Sequence, residues 1–378
     1  MSIYNLTYNI MCIYYTHVTG WAAHFSHMHN LCKANLVLIP KVAYPESITQ
    51  FCPISLCNTL YKLLSWIIVQ WLKPYIAKVI NPCQAGSVSG RWTSNNIIIV
   101  QEAIQTLKSR WSWNGFLALK LDLEKAYDRL EWAFLKETLE FFQMPPNLIT
   151  LIMNMLSSTR FHILWNRAPL LDVVPNRGVR QGDPLSLYLF ILCLEWLSIK
   201  LAEAIWDKLI HLINLRARVH LSHLFFPDDI FLFTIAMARD CNNLCKILQN
   251  FCDSSGQLIS ITKLRLWFSP NTPRRLKEQV VGIFGIPTMD RIGTYLRKPI
   301  FTKRQTAQSY QYLVDKICLR VEGWQAKYLS MAGQATLIKA SVTSILLYAM
   351  KTTLLPQKIS HQIDKMSCNF LWGGYWTP

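Results

Sequence analysis

The chain has 378 residues, 51% of them hydrophobic and 16% charged, and its 39 Lys and Arg against 22 Asp and Glu give a net charge of +17. This composition excludes a chain disordered throughout and is enough for a large core shared by two or more subdomains. The positive charge is spread along the sequence, which suits a phosphate backbone as partner, although a basic protein without such a partner has the same balance.

Residues 1–34 fit no periodic template and stay unassigned. Asn35–Pro40 (NLVLIP) reads as a short strand. Apolar residues at helical spacing predict a helix over 56–80, interrupted at Pro74, with a turn at Asn81-Pro82 and a second helix over 95–107. Phe116–Leu123 (FLALKLDL) has the length and apolarity of a buried strand. Asp128 is placed to cap the following helix, whose Leu130, Phe134, Leu135 and Leu139 share a face and which Pro145-Pro146 stops. A helix over 148–156, a strand over 161–165 and a turn over 166–169 come next. A long helix over 185–205 then has Asp183 as N-cap and Pro184 at its first position, where a missing N–H costs nothing. Two strands, 223–226 and 230–233, flank a tight turn. A helix over 242–251 ends at a Ser-Ser-Gly turn, 274–302 reads as a transition, and the chain from about Ser309 is mostly helical.

Chemistry concentrates at three places. In LFFPDDIFLF, Asp228 and Asp229 lie side by side between apolar strands; adjacent carboxylates at the edge of a core repel unless a cation joins them, while the plainer reading is a solvated hairpin turn. Asp122 closes a buried-type strand. If the two strands are neighbours the three acids converge, and hard oxygen ligands then suit Mg2+ or Mn2+; a lone acid at a strand end is otherwise a cap. In RQGDP, Asp183 and Pro184 are explained by capping, which leaves Arg180 and Gln181 as donors toward a nucleotide and Gly182 as a point of close backbone approach.

With these residues stand LIPKVAYP (38–45), PISLCNTLYKLLS (53–65), LALKLDLEKAYDRLEW (117–132), RGVRQGDPLSLYLFILCLE (177–195), SHLFFPDDIFLF (222–233), SGQLISITK (255–263), GWQAKYLSMAGQATLIKASVTSI (323–345) and FLWGG (370–374). In this order they resemble the reverse transcriptase of plant non-LTR (LINE-type) retrotransposons, from about residue 35 to the end. The resemblance implies an α+β right-hand polymerase fold, with a palm of antiparallel sheet packed on helices and helical fingers and thumb. It divides the chain into fingers and palm at 35–302 and a thumb or connection-like region at 303–378. It implies RNA-directed DNA polymerisation with two Mg2+ or Mn2+ ions, an RNA template, a DNA primer and a dNTP. Asp122, Asp228 and Asp229 would be catalytic metal ligands and Tyr127 the floor that excludes a ribose 2′-hydroxyl. Arg180, Gln181 and Gly182 would border the dNTP, Lys41 would reach its triphosphate, and Lys263 would stand on the pyrophosphate side.

Three positions depart from the family pattern: Cys52 where it has Arg, Pro227 where it has a small residue before the acids, and Arg297 where it has Gly. Cysteine does not replace a cationic fork, proline fixes φ in the hairpin and threatens the aim of the acids, and arginine loses glycine's backbone freedom. Without an endonuclease segment before or an RNase H segment after, the expectation is a degraded element copy with impaired activity, and a non-catalytic nucleic-acid-binding remnant is the alternative. Eleven scattered cysteines without C-x2-C spacing point to free thiols in a reducing compartment. The N-terminus lacks the pattern of a signal peptide, and apolar stretches such as 63–72 fall short of the roughly 20 residues of a membrane span. The expected setting is therefore intracellular, nucleus or cytoplasm, away from membranes.

Overall fold

The computed structural model describes residues 32–110, 112–165, 168–216, 219–289, 292–302, 305–323 and 328–372. The chain forms two compact units, one from residues up to 91 and 111–289, the other from 92–110 and 290 onward. This partition differs from the expected bound at 302. The segment before it belongs with the helix Thr93–Ser109: Gln101 donates to the Phe301 carbonyl at 2.7 Å and accepts from its N–H at 3.0 Å.

In the first unit the strands are β1 (Lys33–Pro40), β2 (Phe51–Cys57), β3 (Phe116–Asp122), β4 (Arg160–Trp165), β5 (Ala168–Val173), β6 (Ile213–Arg216), β7 (Val219–Leu221), β8 (His223–Phe226), β9 (Asp229–Ile235) and β10 (Arg265–Phe268). One sheet has the order β2-β1-β4-β5, with β1 parallel to β4. Another has the order β10-β3-β9-β8 and is antiparallel throughout. The run FLALKLD is apolar at nearly every position because β3 has strands on both edges and buries Phe116, Leu117, Ala118, Leu119 and Leu121. Its partner β9 buries Ile230, Phe231, Leu232 and Phe233 in the same way.

The helix Pro184–Trp206 buries residues all round its circumference, which is why its sequence lacks a polar face. Its 23 residues reach the length of a membrane span, which stretches such as 63–72 do not. Among the described residues it is the one helix long and apolar enough to cross a bilayer by length and composition, but here its surface is spent on the core. Asp183 caps it as expected, accepting from the Leu185 N–H at 3.2 Å and from Tyr61 Oη at 3.0 Å, with Ser65 Oγ as a further donor. Pro184 takes the first position.

Several local expectations change. The helix Thr59–Val79 runs through Pro74 unbroken, held by Ile68, Val69, Leu72 and Ile76 in the core, and Asn58 caps its start. Residues 56 and 57, expected in the helix, belong to β2, whose residues 51–55 carried no expectation. Asp128 is not a cap. It lies inside the short helix Ala126–Arg129, and the longer helix begins only at Trp132. Leu130 and Glu131 are drawn out of the helical path by bonds from Gly178 N–H to Leu130 O (2.7 Å) and from Glu131 N–H to Ser255 O (2.9 Å). That helix ends at Phe141, before the prolines, and Pro146 instead opens the next one, Pro146–Ser157. Of the expected turn over 166–169, residues 166 and 167 lie outside the described residues, and Ala168 already starts β5.

The second unit has the hairpin β11 (Thr294–Tyr295) and β12 (Lys298–Pro299) and the helices Thr93–Ser109, Gln311–Val321, Met331–Leu337, Thr343–Met350 and Gln357–Trp372. Its core gathers Tyr310, Leu313, Val314, Ile317, Val342, Ile359 and Ile363. The hairpin turns on Leu296 and Arg297, whose φ values of +49° and +60° place two L-residues in the left-handed region. A two-residue turn of this hand favours glycine. Arg297→Gly is therefore expected to raise stability by about 1 kcal/mol in chemical denaturation. A loss instead would mean that the arginine side chain outweighs its backbone strain.

Candidate active site

Pairing of β3 with β9 puts Asp122 directly opposite Asp229. Opposed residues of an antiparallel pair project from the same face, about 5 Å apart at Cβ. Beyond Asp122 the chain is held by Ser260 N–H on the Asp122 carbonyl (2.9 Å) and Glu124 N–H on the Leu258 carbonyl (2.8 Å), so the segment SGQLIS positions the end of β3. Asp228 stands at the β8–β9 turn, where the ladder closes at Phe226 opposite Asp229. Pro227 does not disturb this register. It and Asp228 form a two-residue turn, a position where the missing proline N–H interrupts no ladder bond. The ring rests against Gly86, where an added Cβ would lie 2.4 Å from Pro227 Cδ.

Asp228 is exposed at the turn tip, yet the walls around its carboxyl withdraw solvent and raise its pKa, and the charges of Asp229 and Asp122 add to the rise. Burial also raises the Asp229 carboxyl, against the opposing pull of Lys120. Two ammonium groups balance the acids: Lys263 Nζ donates to Asp122 Oδ2 at 2.6 Å, and Lys120 Nζ stands 3.3 Å from Asp229 Oδ1. The bond to Asp122 raises the Lys263 pKa.

A cavity of about 610 Å³ opens here, lined among others by Lys41, Cys52, Asp122, Lys125, Tyr127, Gln181, Gly182, Asp228 and Lys263. Tyr127 stacks on Phe190 with ring centroids 5.1 Å apart, and its hydroxyl is pushed up to about 12 by burial and by Asp228. Gln181 spans the cavity wall. Its Nε2 donates to Asp128 Oδ1 at 3.4 Å, its Oε1 faces Cys52 Sγ at 3.3 Å, and its carbonyl accepts from Ser55 N–H at 2.9 Å. Gly182 has φ +104°, and a Cβ there would come within 3.0 Å of the Ser55 carbonyl. The close approach read from the sequence is thus an approach to β2, the strand that carries Cys52.

Two site residues behave differently from expectation. Arg180 borders the cavity, but its guanidinium turns inward and is 3% exposed. It donates to the Cys32 carbonyl at 2.9 Å and to Thr159 Oγ1 at 2.5 Å, and lies 3.9 Å from the centre of the Tyr61 ring, so it fastens helix, strand and loop rather than facing a ligand. Asp229 does not line the cavity, and among the described residues no three His, Cys, Asp or Glu side chains are gathered closely enough to hold a metal ion. Asp122 and Asp228 alone of the three acids face the cavity. Lys125 and Lys120 went unnoticed in the sequence. Lys120 was legible, since it stands two residues before Asp122 and therefore on the same face of β3. Lys125 was not, because it is aimed by a left-handed φ of +49°.

The sequence matches the family described as reverse transcriptase (RNA-dependent DNA polymerase) over residues 39–317. It is 27% identical over 357 residues to the transposon TX1 uncharacterized 149 kDa protein of Xenopus laevis, covering 91% of this chain and 26% of that protein. It is 28% identical over 238 residues to the retrovirus-related Pol polyprotein from type-2 retrotransposable element R2DM of Drosophila melanogaster, covering 63% of this chain and 21% of that one. The chain thus spans about a quarter of the length of these relatives. Among solved structures, apo telomerase from Candida tropicalis superposes with a TM-score of 0.50 at 12% identity, covering 92% of this chain and 60% of that one, a likeness of fold. The fold is the α+β right-hand polymerase fold, and the chain belongs to the reverse transcriptase (RNA-dependent DNA polymerase) family.

Proposed function

We propose that this chain is the polymerase portion of a LINE-type retroelement protein and extends a DNA primer on an RNA template by two-metal nucleotidyl transfer. The observation that carries the reading is that Asp122 and Asp228, which are 106 positions apart in sequence, line one cavity together with Lys41, Tyr127 and Gln181. The two carboxylates are hard oxygen donors, and the upward pull that Asp229 and Asp122 exert on the Asp228 carboxyl is the repulsion a cation relieves, so the residues fit Mg2+ or Mn2+. Divalent ions held there by Asp122 and Asp228 would supply activation of a 3′-hydroxyl and stabilisation of the leaving pyrophosphate. Lys41 and Lys263 offer charge to a triphosphate, Gln181 is placed to orient it, and the Tyr127 ring, fixed by Phe190, bars a ribose 2′-hydroxyl by exclusion. Arg180 supports this wall from behind, and Gly182 lets it lie close on β2.

The finer placement with plant elements rests on the wording of segments such as RGVRQGDPLS and FLWGG. The free thiols of the described cysteines suit a reducing compartment, and chromosomal targets would require the nucleus. The test is incorporation of dNTPs by the purified protein on a primed RNA, with Mg2+ and with Mn2+. No incorporation with either ion would reject the activity. Cys52 lines the cavity where the family carries an arginine, so Cys52→Arg is expected to lower the KM for dNTP about tenfold, the contribution of one charge-assisted phosphate contact. An unchanged KM would remove Cys52 from the account of nucleotide binding.

A further inference from the structure

We propose that the first unit holds a second ligand site, a pocket at the start of β8 that takes a nucleobase with an exocyclic amino group, stacked on Trp206 and bonded through its amine to Ser222. The pocket shares no lining residue with the catalytic cavity, and it lies at the other end of β8 from the Asp228 turn. The proposal goes beyond the polymerase reading and does not depend on it.

The pocket has a volume of about 580 Å³, in the usual range for a small-molecule site. Ile205 and Leu212 give it apolar lining, Trp206 and His220 aromatic rings, and Ser222 and His223 polar groups. Trp206 is 87% exposed, so the fold leaves its ring open to a ligand. Its backbone is nevertheless fixed. It ends the helix Pro184–Trp206, which Lys208 closes in a left-handed turn with φ +56° and the Leu209 N–H on the Ala204 carbonyl at 2.8 Å. Asn243 Nδ2 donates to the Leu209 carbonyl at 2.9 Å and ties this turn to the helix Ala238–Ser255. His220 on β7 lies opposite Asn214 on β6, and its Nδ1 donates to Asn214 Oδ1, which sets the plane of the ring. Aromatic rings on rigid elements suit stacking with a flat base. A phosphate finds less here: Lys208 is the one lysine or arginine of the lining among the described residues, and Glu203 and Asp207 stand within three positions of Trp206.

The polarity of Ser222 follows from a chain of hydrogen bonds that starts in the core. Glu195 is 3% exposed, and a hydrogen bond from Ser198 helps to hold its charge against a burial that pushes its pKa up to about 7. A hydroxyl has one proton to give, so Ser198 Oγ, having spent its own on Glu195, accepts from His223 Nε2 at 3.0 Å. Burial lowers the His223 pKa to about 4, so the ring is neutral and carries that single proton. Its Nδ1 therefore accepts from Ser222 Oγ at 2.8 Å. The Ser222 proton is thereby committed, and its oxygen offers the pocket lone pairs alone. The ligand must supply the donor, as the amine of an amino-bearing base does.

In the experiment, 8-azidoadenosine is irradiated with the full chain at pH 8 without divalent ions, and the labelled peptides are mapped by mass spectrometry. Label is expected within residues 202–223. Trp206→Ala is expected to weaken labelling about tenfold, the loss of one base–aromatic stack, whereas Trp113→Ala, which removes a tryptophan 80% exposed outside both cavities, leaves it unchanged. Adenosine is expected to compete about fivefold better than purine riboside, which lacks the 6-amino group, and this preference is expected to vanish in Ser222→Ala. Label confined to the catalytic cavity, labelling indifferent to Trp206→Ala, or equal competition by the two nucleosides in the wild type would each overturn the proposal. AMP and a short oligodeoxyadenylate, compared at equal base concentration, separate the sources of the base. Stronger competition by the oligonucleotide assigns the site to a strand and parity assigns it to a free nucleotide, and both results support the pocket. Primer extension enters none of these readouts, so an inactive polymerase would leave the site standing.

Discussion

Incorporation of dNTPs on a primed RNA is expected to fall at least about a thousandfold in Asp228→Ala, measured as kcat/KM in primer extension with Mg2+ and again with Mn2+. The residue is chosen over its neighbour because it lines the cavity and Asp229 does not. The variant also separates chemistry from folding. Burial and the charges of Asp229 and Asp122 raise the pKa of the Asp228 carboxyl in the fold, so above that pKa its ionised form opposes folding rather than supporting it. Removal of the carboxyl near pH 7 is thus expected to leave the unfolding midpoint unchanged or slightly higher. An inactive protein that still folds would assign the loss to the site. A comparable rate in Asp228→Ala and wild type would remove the carboxylate from the reaction and with it the proposed mechanism. Asp253→Ala, in the last turn of the helix Ala238–Ser255 and outside the lining of the cavity, serves as a control for the loss of one acid from this basic chain.

The strands that carry the acids were legible in the sequence because burial on both faces leaves little choice of residue: FLALKLD and DIFLF are apolar runs of five to seven residues, too short for an ordinary helix or a membrane span and suited to interior strands. The cap at Asp183 was legible for a local reason as well, since it depends on four consecutive residues. What escaped was set by contacts between distant segments. Strand β2 carried no expectation over 51–55, and its last two residues, 56 and 57, were drawn into the following helix by the apolar spacing; its extended form is set by pairing with β1 over seven positions. The end of the short helix at Arg129 is imposed by Gly178 and Ser255, some fifty and more than a hundred residues downstream. Arg180 is the clearest case at the site. Its place in RQGDP suggested a donor toward a nucleotide, while its direction is fixed by the carbonyls of Cys32 and Met155 and the hydroxyl of Thr159, none of which is near it in sequence. A residue type and a motif position narrow the chemistry, but only the packing of the neighbours decides which way a long side chain turns.

Gly86→Ala is expected to reduce primer extension about a hundredfold and to destabilise the protein by about 2 kcal/mol, and Pro227→Ala is expected to reverse most of both losses. Gly86 stands at the edge of the sheet that carries the acids. Residues 83–85 run beside β8, with Phe225 N–H bonded to the Cys83 carbonyl at 2.9 Å and Ala85 N–H to the Phe225 carbonyl at 3.2 Å. That pairing fixes the backbone of Gly86 over the turn. An alanine Cβ would fall 2.4 Å from Pro227 Cδ and 2.9 Å from Cγ, distances at which one segment must move. The proline ring is rigid and the edge pairing holds the other side, so the displacement passes to the turn and to Asp228, one residue on. Replacing Pro227 by alanine removes both ring atoms and leaves the backbone nitrogen at 3.1 Å as the nearest neighbour, a contact that a shift of a few tenths of an ångström relieves. Proline before the two acids is therefore compatible with an aimed hairpin because glycine stands opposite it, and the departure from the family pattern at 227 is not by itself a disabling change. A Gly86→Ala variant with wild-type rate and stability, or one that Pro227→Ala fails to improve, would show that the turn has slack the geometry does not reveal. Rescue by Pro227→Ala in a double-mutant cycle would instead locate the coupling at this one contact.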